Sequence, residues 1–433
     1  MKASYVKKIV LETISSMNDQ QSSFVRHPSV DFTRKRKCSF SDILLCLLTM
    51  ENGSLNRELR RFFPQSDTVL SKSAFCQQRA KLNDDAFPFL FDMVNQATLP
   101  TKKFKGYHLV AVDGSDVNIP PSPGSPDTRV PSNTNGGGYH QMHLNALYDL
   151  LEERYINVLL QPRARLNERA AFLSLLEDYS VSGKTIFIAD RGYFSLNLLA
   201  HLILSGHCFL LRLNSVDAQN SFLRRFSLPD SDEFDVCLEF DATRSRKKCY
   251  LNHPDKFVWL HSKRPFDFID PSDKEKLFHF RVRLVKVAIP GGFEYLLTNL
   301  PERSFDIPTL RQLYQMRWGI ETSFRYLKYN ICLTSFHSIR RDFIIQEIYA
   351  RVILYNLTML LKHTVSVPVG AGKYQRKVSV SDAVHTCREL LLGRINASMA
   401  RRFLLRYLTD IRPDRTFPRK IRSQHYKSLN YRT

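Results

Sequence analysis

A chain of 433 residues can bury a large core and divide into two to four domains or subdomains. Its 63 Lys and Arg against 42 Asp and Glu leave a net charge of +21, so a polyanion is the expected partner, although ribosome-associated and membrane-surface proteins share that bias. Eight cysteines without CxxC pairing argue against a zinc site or a disulfide framework and suit a reducing compartment. The first twenty residues break their apolar positions with charge, unlike a signal peptide, and the longest apolar run, Ile43 to Met50, is far short of the roughly 20 residues that span a bilayer. A cytoplasmic protein with no membrane partner is expected.

Residues 1–100 read as an all-α domain. Ser41 or Ser39 can cap DILLCLLTM, Asn52-Gly53-Ser54 supplies a turn, and LNRELRRFF follows as a helix rich in arginine. Ser71 or Ser73 starts SAFCQQRAKLN, and DDAFPFLFDMVNQA makes a fourth helix with its proline near the first turn. These pieces fit a domain that binds DNA ends, with Arg57, Arg60, Arg61, Arg79 and Lys81 as candidate phosphate contacts beside the basic cluster Arg34-Lys35-Arg36-Lys37. They fit equally a helical bundle whose arginines are solvated.

Residues 101–213 change character. A β-branched run, Leu109 to Val112, ends at Asp113-Gly114, and a Pro-, Ser- and Gly-rich loop spans Pro120 to Gly138. HQMHLNALYDL and RYINVLLQ are strands joined by an acidic turn around Glu152 and Glu153, and Asn167 to Tyr179 is helical. KTIFIAD is a buried strand ending on Asp190, followed by RGYF, the apolar helix SLNLLAHLILSG and the strand CFLLRL. That order predicts an α/β layout with mixed strand pairing. Residues 214–300 turn to strands and tight turns and read as a β-rich insertion. Residues 301–365 return to helices, and 366–433 form an α-helical region with a basic tail.

Asp306 to Asn330 reads as one helix, with Asp306 or Thr309 available as its cap. At about 100° per residue, Leu313, Met316, Ile320, Phe324 and Leu327 form an apolar stripe, with Tyr314, Arg317, Glu321 and Lys328 beside it. A solvated face also mixes charges, but four such groups bordering a buried stripe suit a site that holds phosphates and a metal ion. Asp113 and Asp190 stand at the ends of two strands of one sheet, the rim where open α/β sheets place their sites. A helix packed across that rim brings Glu321 to the same point. Three gathered carboxylates repel one another, and a divalent cation relieves them, Mg²⁺ or Mn²⁺ suiting oxygen ligands. Asp116 competes with Asp113, but strand alternation puts the two on opposite faces.

Tyr-x2-Arg-x3-Glu-x6-Lys, realised as Tyr314, Arg317, Glu321 and Lys328, resembles the signature of the DDE transposases of the insertion-sequence-four family. VAVDGSDVNIP and IADRGYF resemble their first- and second-aspartate motifs, and IIQEIYARVILYN their C-terminal region. The resemblance implies a ribonuclease-H-like mixed sheet flanked by helices, carrying the β insertion between the second and third acids. It implies that Asp113, Asp190 and Glu321 hold two Mg²⁺ ions, which Mn²⁺ can replace, and do catalysis, while Tyr314, Arg317 and Lys328 hold DNA phosphates. A prokaryotic, nucleoid-associated transposase would then bind terminal inverted repeats in double-stranded DNA as a homodimer, with cut-and-paste transposition through a hairpin on the excised end. A stand-alone nuclease on the same fold and a catalytically silent DNA-binding descendant are the alternatives. Family members can stack a flipped base on an aromatic of the insertion. Trp259 is the candidate, against its reading as a core tryptophan.

Overall fold

The computed structural model describes residues 2–34, 36–64, 70–121, 124–131, 138–368 and 374–411. Lys35 of the basic cluster, much of the Pro120–Gly138 loop and the tail beyond residue 411 lie outside them.

Five helices come first: α1 (Ala3–Asp19), α2 (Phe40–Thr49), α3 (Leu55–Phe62), α4 (Lys72–Arg79) and α5 (Ala86–Gln96). Ser39 opens α2 through a capping box: its hydroxyl accepts from the Asp42 amide at 3.1 Å and the Asp42 carboxylate accepts from the Ser39 amide at 2.8 Å. Ser71 caps α4 with its hydroxyl alone, accepting from the Ala74 amide at 3.2 Å. The arginines of this region divide. Arg57 and Arg60 are exposed, whereas Arg79 is 1% exposed and donates to Gln346 at 2.8 Å and Glu347 at 2.9 Å. Arg61 donates to the Thr49 carbonyl and to Glu51. Arg79 and Arg61 are therefore internal ties, not free phosphate contacts. Lys81 is partly covered, lying over the Phe32 ring 4.0 Å from Asp31.

Next come β1 (His108–Ile119), β2 (Arg129–Val130), β3 (Tyr139–Asp149), β4 (Arg154–Pro162), α6 (Glu168–Glu177), β5 (Thr185–Ala189), α7 (Leu196–Leu204) and β6 (Cys208–Leu213). Strand β1 does not stop at Asp113 as the apolar run suggested. It continues because β3 pairs with it antiparallel from Val110↔Asp149 to Ile119↔His140. Its parallel pairing with β5 does end, at Val112↔Ala189. The order β4-β3-β1-β5-β6 has β3 antiparallel to both neighbours and β1, β5 and β6 mutually parallel, which is a ribonuclease-H-like sheet.

The β-rich segment contributes β7 (Phe234–Thr243), α8 (Lys248–Leu251), β8 (Phe257–Trp259), β9 (Leu277–Ile289) and β10 (Gly292–Thr298). Strand β10 pairs antiparallel with β6, so these strands extend the first sheet to ten members and cover an edge of β6 that would otherwise stand open.

The chain closes with α9 (Ile307–Met316), α10 (Trp318–Tyr329), α11 (Arg341–Lys362), β11 (Arg376–Val378), α12 (Val380–Leu391), α13 (Ala397–Arg406) and β12 (Leu408–Asp410). The single helix expected over 306–330 is two. At Arg317 the ladder tightens to three-residue spacing, with the Arg317 amide donating to Tyr314 and the Ile320 amide to Arg317, each at 3.1 Å. The apolar stripe is divided accordingly. Leu313 packs with Leu310 and Tyr314 against Ile188, Leu210 and Leu296, while Ile320, Phe324 and Leu327 join a core shared by α1–α5, α11 and α12. Helix α11 is long and apolar enough by length and composition to cross a membrane, yet 89% of its apolar window is buried inside the protein.

Inside α11, burial pushes the Glu347 carboxyl up, but His337, Arg79 and Arg351 outweigh it and hold it down at about 2. Removing one partner of such a pair leaves an uncompensated buried charge. Arg79→Ala should therefore lower unfolding free energy by about 3–5 kcal/mol in urea titration. A loss within the range of an exposed arginine would show that Arg79 is not a structural tie.

Candidate active site

Residues paired on adjacent parallel strands point to the same face. Val110, Val112, Phe187 and Ala189 all face the core beneath α6 and α7, whereas Ala111 and Ile188 face the opposite side. Asp113 and Asp190 are the next residues after the last pair, Val112↔Ala189, so both continue the side on which α9 and α10 pack. Asp190 is fixed there as a cap, its carboxylate accepting from the Gly192 amide at 2.8 Å. Asp113 accepts from the Gly114 amide at 2.9 Å.

Glu321 arrives in the first turn of α10. The guanidinium of Arg317 lies between the acids, with Nη2 donating to Glu321 Oε1 at 2.8 Å and Nη1 3.5 Å from Asp113 Oδ2. Seven residues beyond Glu321, Lys328 Nζ donates to Ser115 Oγ at 2.8 Å, two residues along the same face of β1 as Asp113. Helix α10 thus runs along β1. Tyr314 differs from its expected place at a phosphate-facing border: it is buried among Leu310 and Leu313, its ring 5.7 Å from the Arg317 guanidinium.

The acids bear on one another's charge. Burial pushes Asp113 up to about 6, against its bond from Gly114 and the pull of Arg317, and the carboxylates of Asp190 and Glu321 add to the rise. Burial lowers the proton affinity of Arg317, but Tyr314, Glu321 and Asp113 outweigh it and leave it raised. Burial also lowers Lys328, with Asp116 opposing. Around these groups the Tyr314 and Tyr193 hydroxyls and Arg317 Nε and Nη1 are buried without hydrogen-bond partners. Unpaired buried donors of this kind are costly unless a ligand completes them, and phosphate oxygens are acceptors of the right type.

Asp116 turns to the other side, as alternation requires. His143 Nδ1 stands 2.8 Å from Asp116 and Nε2 3.2 Å from Glu168, and although burial pulls this histidine down, the two acids lift it to about 8. The ring fills the space over Gly114, where a Cβ would meet Nε2 at 2.1 Å, so the glycine is required by packing as well as by any turn. Trp259, read as a core residue, is instead 36% exposed on β8 at the far edge of the sheet, six strands from β1 or about 30 Å at the usual strand spacing. Sequence reasoning passed over Trp318, which is 52% exposed directly beside the site with Arg317 5.1 Å over its ring. Only its adjacency to Arg317 and Glu321 could have signalled it.

Among the described residues no three His, Cys, Asp or Glu side chains form a finished cation cage. The positive charge between Asp113 and Glu321 is that of Arg317. Three oxygen-donor acids that repel one another, one with a raised proton affinity, fit divalent cations in chemistry.

Residues 104–357 match the family model described as transposase DDE domain. No curated protein sequence matches the chain. Among solved structures, the cryo-EM structure of piggyBac transposase synaptic complex with hairpin DNA aligns at a TM-score of 0.49 and 11% identity, over 93% of this chain and 81% of that one.

In unfolded protein Asp113 ionises near pH 4, but in the folded site only near 6, so folding stability falls as pH rises through that interval and stays reduced above it. Asp113→Asn should accordingly stabilise the fold in metal-free buffer at neutral pH and raise its melting temperature, the gain in unfolding free energy being at most about 3 kcal/mol at 1.36 kcal/mol per unit. An unchanged or lowered melting temperature would show that this charge is not under strain.

Proposed function

Because this chain belongs to the transposase DDE-domain family, whose members cleave DNA and transfer strands with divalent metal ions, we propose that it is a cut-and-paste transposase of the insertion-sequence-four type. It binds the terminal inverted repeats of a bacterial-type element and cuts and rejoins their 3′ ends within the cytoplasm, at the nucleoid. The observation that carries this reading is the placement of Arg317 between Asp113 and Glu321, with Asp190 at the neighbouring register position.

Asp113, Asp190 and Glu321 would hold two Mg²⁺ ions, with Mn²⁺ able to substitute. When bound, such ions activate an attacking oxygen and stabilise a leaving one in an in-line displacement. The remaining work falls to this chain's own groups. Arg317, relieved of its carboxylate partners, has Nη1 and Nε free to grip phosphate oxygens. Lys328 waits on Ser115, and the buried hydroxyl of Tyr314 offers a further donor from below. A DNA-binding role for the N-terminal region narrows to the exposed Arg57 and Arg60 with Arg34, Arg36 and Lys37 of the basic cluster. Cutting both ends in one event asks for a homodimer on DNA.

Glu321→Ala should abolish Mg²⁺-dependent cleavage of terminal-repeat DNA while end binding in a gel-shift assay stays near the unaltered level. Cleavage persisting in that variant removes Glu321 from the mechanism, and hydrolysis without joining would favour a stand-alone nuclease.

A further inference from the structure

Beside the Asp190 turn, between the starts of α6 and α7 and the chain leading into the β-rich strands, lies a cleft of about 460 Å³. Arg169, Arg191, Arg225 and Arg264 line it, and no Asp or Glu does. Asp267 reaches Asn197 but does not line the cleft. Arg225 is pulled down by burial and further by Arg264, which means two like charges are held close without an acid between them. Such an arrangement is unfavourable in an empty protein and favourable around an anion.

Two helix starts add to the same field. Asn167 caps α6 and Ser195 caps α7, and both line the cleft, so the positive ends of a ten-residue and a nine-residue helix open onto it. The cleft is also tied to the carboxylate rim. Arg169 Nε donates to the Gly192 carbonyl at 2.9 Å, within the turn that the Asp190 carboxylate caps. Its volume is that of a small-molecule pocket and admits one strand, not a duplex.

We infer that this cleft binds the phosphodiester backbone of an unpaired DNA strand where it leaves the carboxylate rim, with Arg225 and Arg264 as the principal contacts. The inference rests on the transposase reading for its choice of DNA as the anion. It assigns DNA contact to the turns around the β-rich strands, apart from the Tyr-Arg-Glu-Lys helix.

The test uses full-length protein in EDTA, so that no cleavage occurs, and fluorescence anisotropy with a mixed-sequence duplex bearing a single-stranded tail and a blunt duplex of equal length, across a salt series. Arg225→Ala with Arg264→Ala should weaken binding of the tailed probe about tenfold and flatten its salt slope by about 1.4, at roughly 0.7 per single-strand phosphate contact. Blunt-duplex binding should change much less, and lysine at both positions should restore most of the affinity. Arg264→Glu, an exposed position where packing is not at stake, should weaken the tailed probe by itself. Arg401→Ala with Arg402→Ala, exposed on α13, should leave both probes unaffected. Unchanged tailed-probe binding in the Arg225 and Arg264 variants overturns the inference, as does an equal loss on both probes. Because the assay is run in EDTA, its outcome does not depend on cleavage at the carboxylates, so failure of the carboxylate chemistry and failure of the cleft give different results.

Discussion

Carboxylates gathered at one rim of a sheet are unstable neighbours, and in this protein a guanidinium ties two of the three together. Arg317 reaches Glu321 at 2.8 Å and Asp113 at 3.5 Å, while Asp190 is held to its own turn by the Gly192 amide. Even so the acids are not fully compensated, since Asp113 is pushed up to about 6. The rest of the architecture can be understood as the means of holding this charge arrangement in place. On the transposase reading we propose, a metal ion would settle the acids and a phosphodiester the orphaned donors.

The break at Arg317 makes that arrangement possible. A straight helix over 306–330 would carry one apolar stripe against one surface. With the ladder tightened at Arg317, α9 packs over β5, β6 and β10, and α10 is free to run along β1. Gly319 assists, because a Cβ there would come within 3.0 Å of Leu150 Cδ2. The core under α10 is shared with the N-terminal helices and α11, and the buried Arg79–Glu347 pair links those two regions across 268 residues of sequence. The helix bearing Glu321 is thus braced by both ends of the chain.

Much of this was legible in local chemistry. Ser39, Asn167, Ser195 and Asp306 cap helices where their side chains could be expected to, and β5 and β6 fall within a residue or two of their apolar runs, because capping and strand burial depend on neighbours in sequence. The length of β1, the joining of β10 to β6 and the burial of Arg79 depend on partners far along the chain. Nothing near Arg79 distinguishes it from Arg60, although one is a structural tie and the other faces solvent. The spacing from Tyr314 to Lys328 marked the right segment while concealing that it breaks at Arg317, where the two halves pack on different surfaces supplied by distant parts of the chain. Trp259 was read as core and Trp318 passed over for the same reason: exposure is a tertiary property.

The central claim is that Arg317 holds a place that divalent cations take, with Asp113, Asp190 and Glu321 closing on them. Anomalous diffraction from crystals soaked in Mn²⁺ addresses it directly. The account predicts metal peaks with carboxylate oxygens of Asp113, Asp190 and Glu321 at about 2.1 Å, and the Arg317 guanidinium withdrawn from at least one of its acids. A map with no peak at these carboxylates, and Arg317 still bridging Asp113 and Glu321 at saturating Mn²⁺, would contradict it.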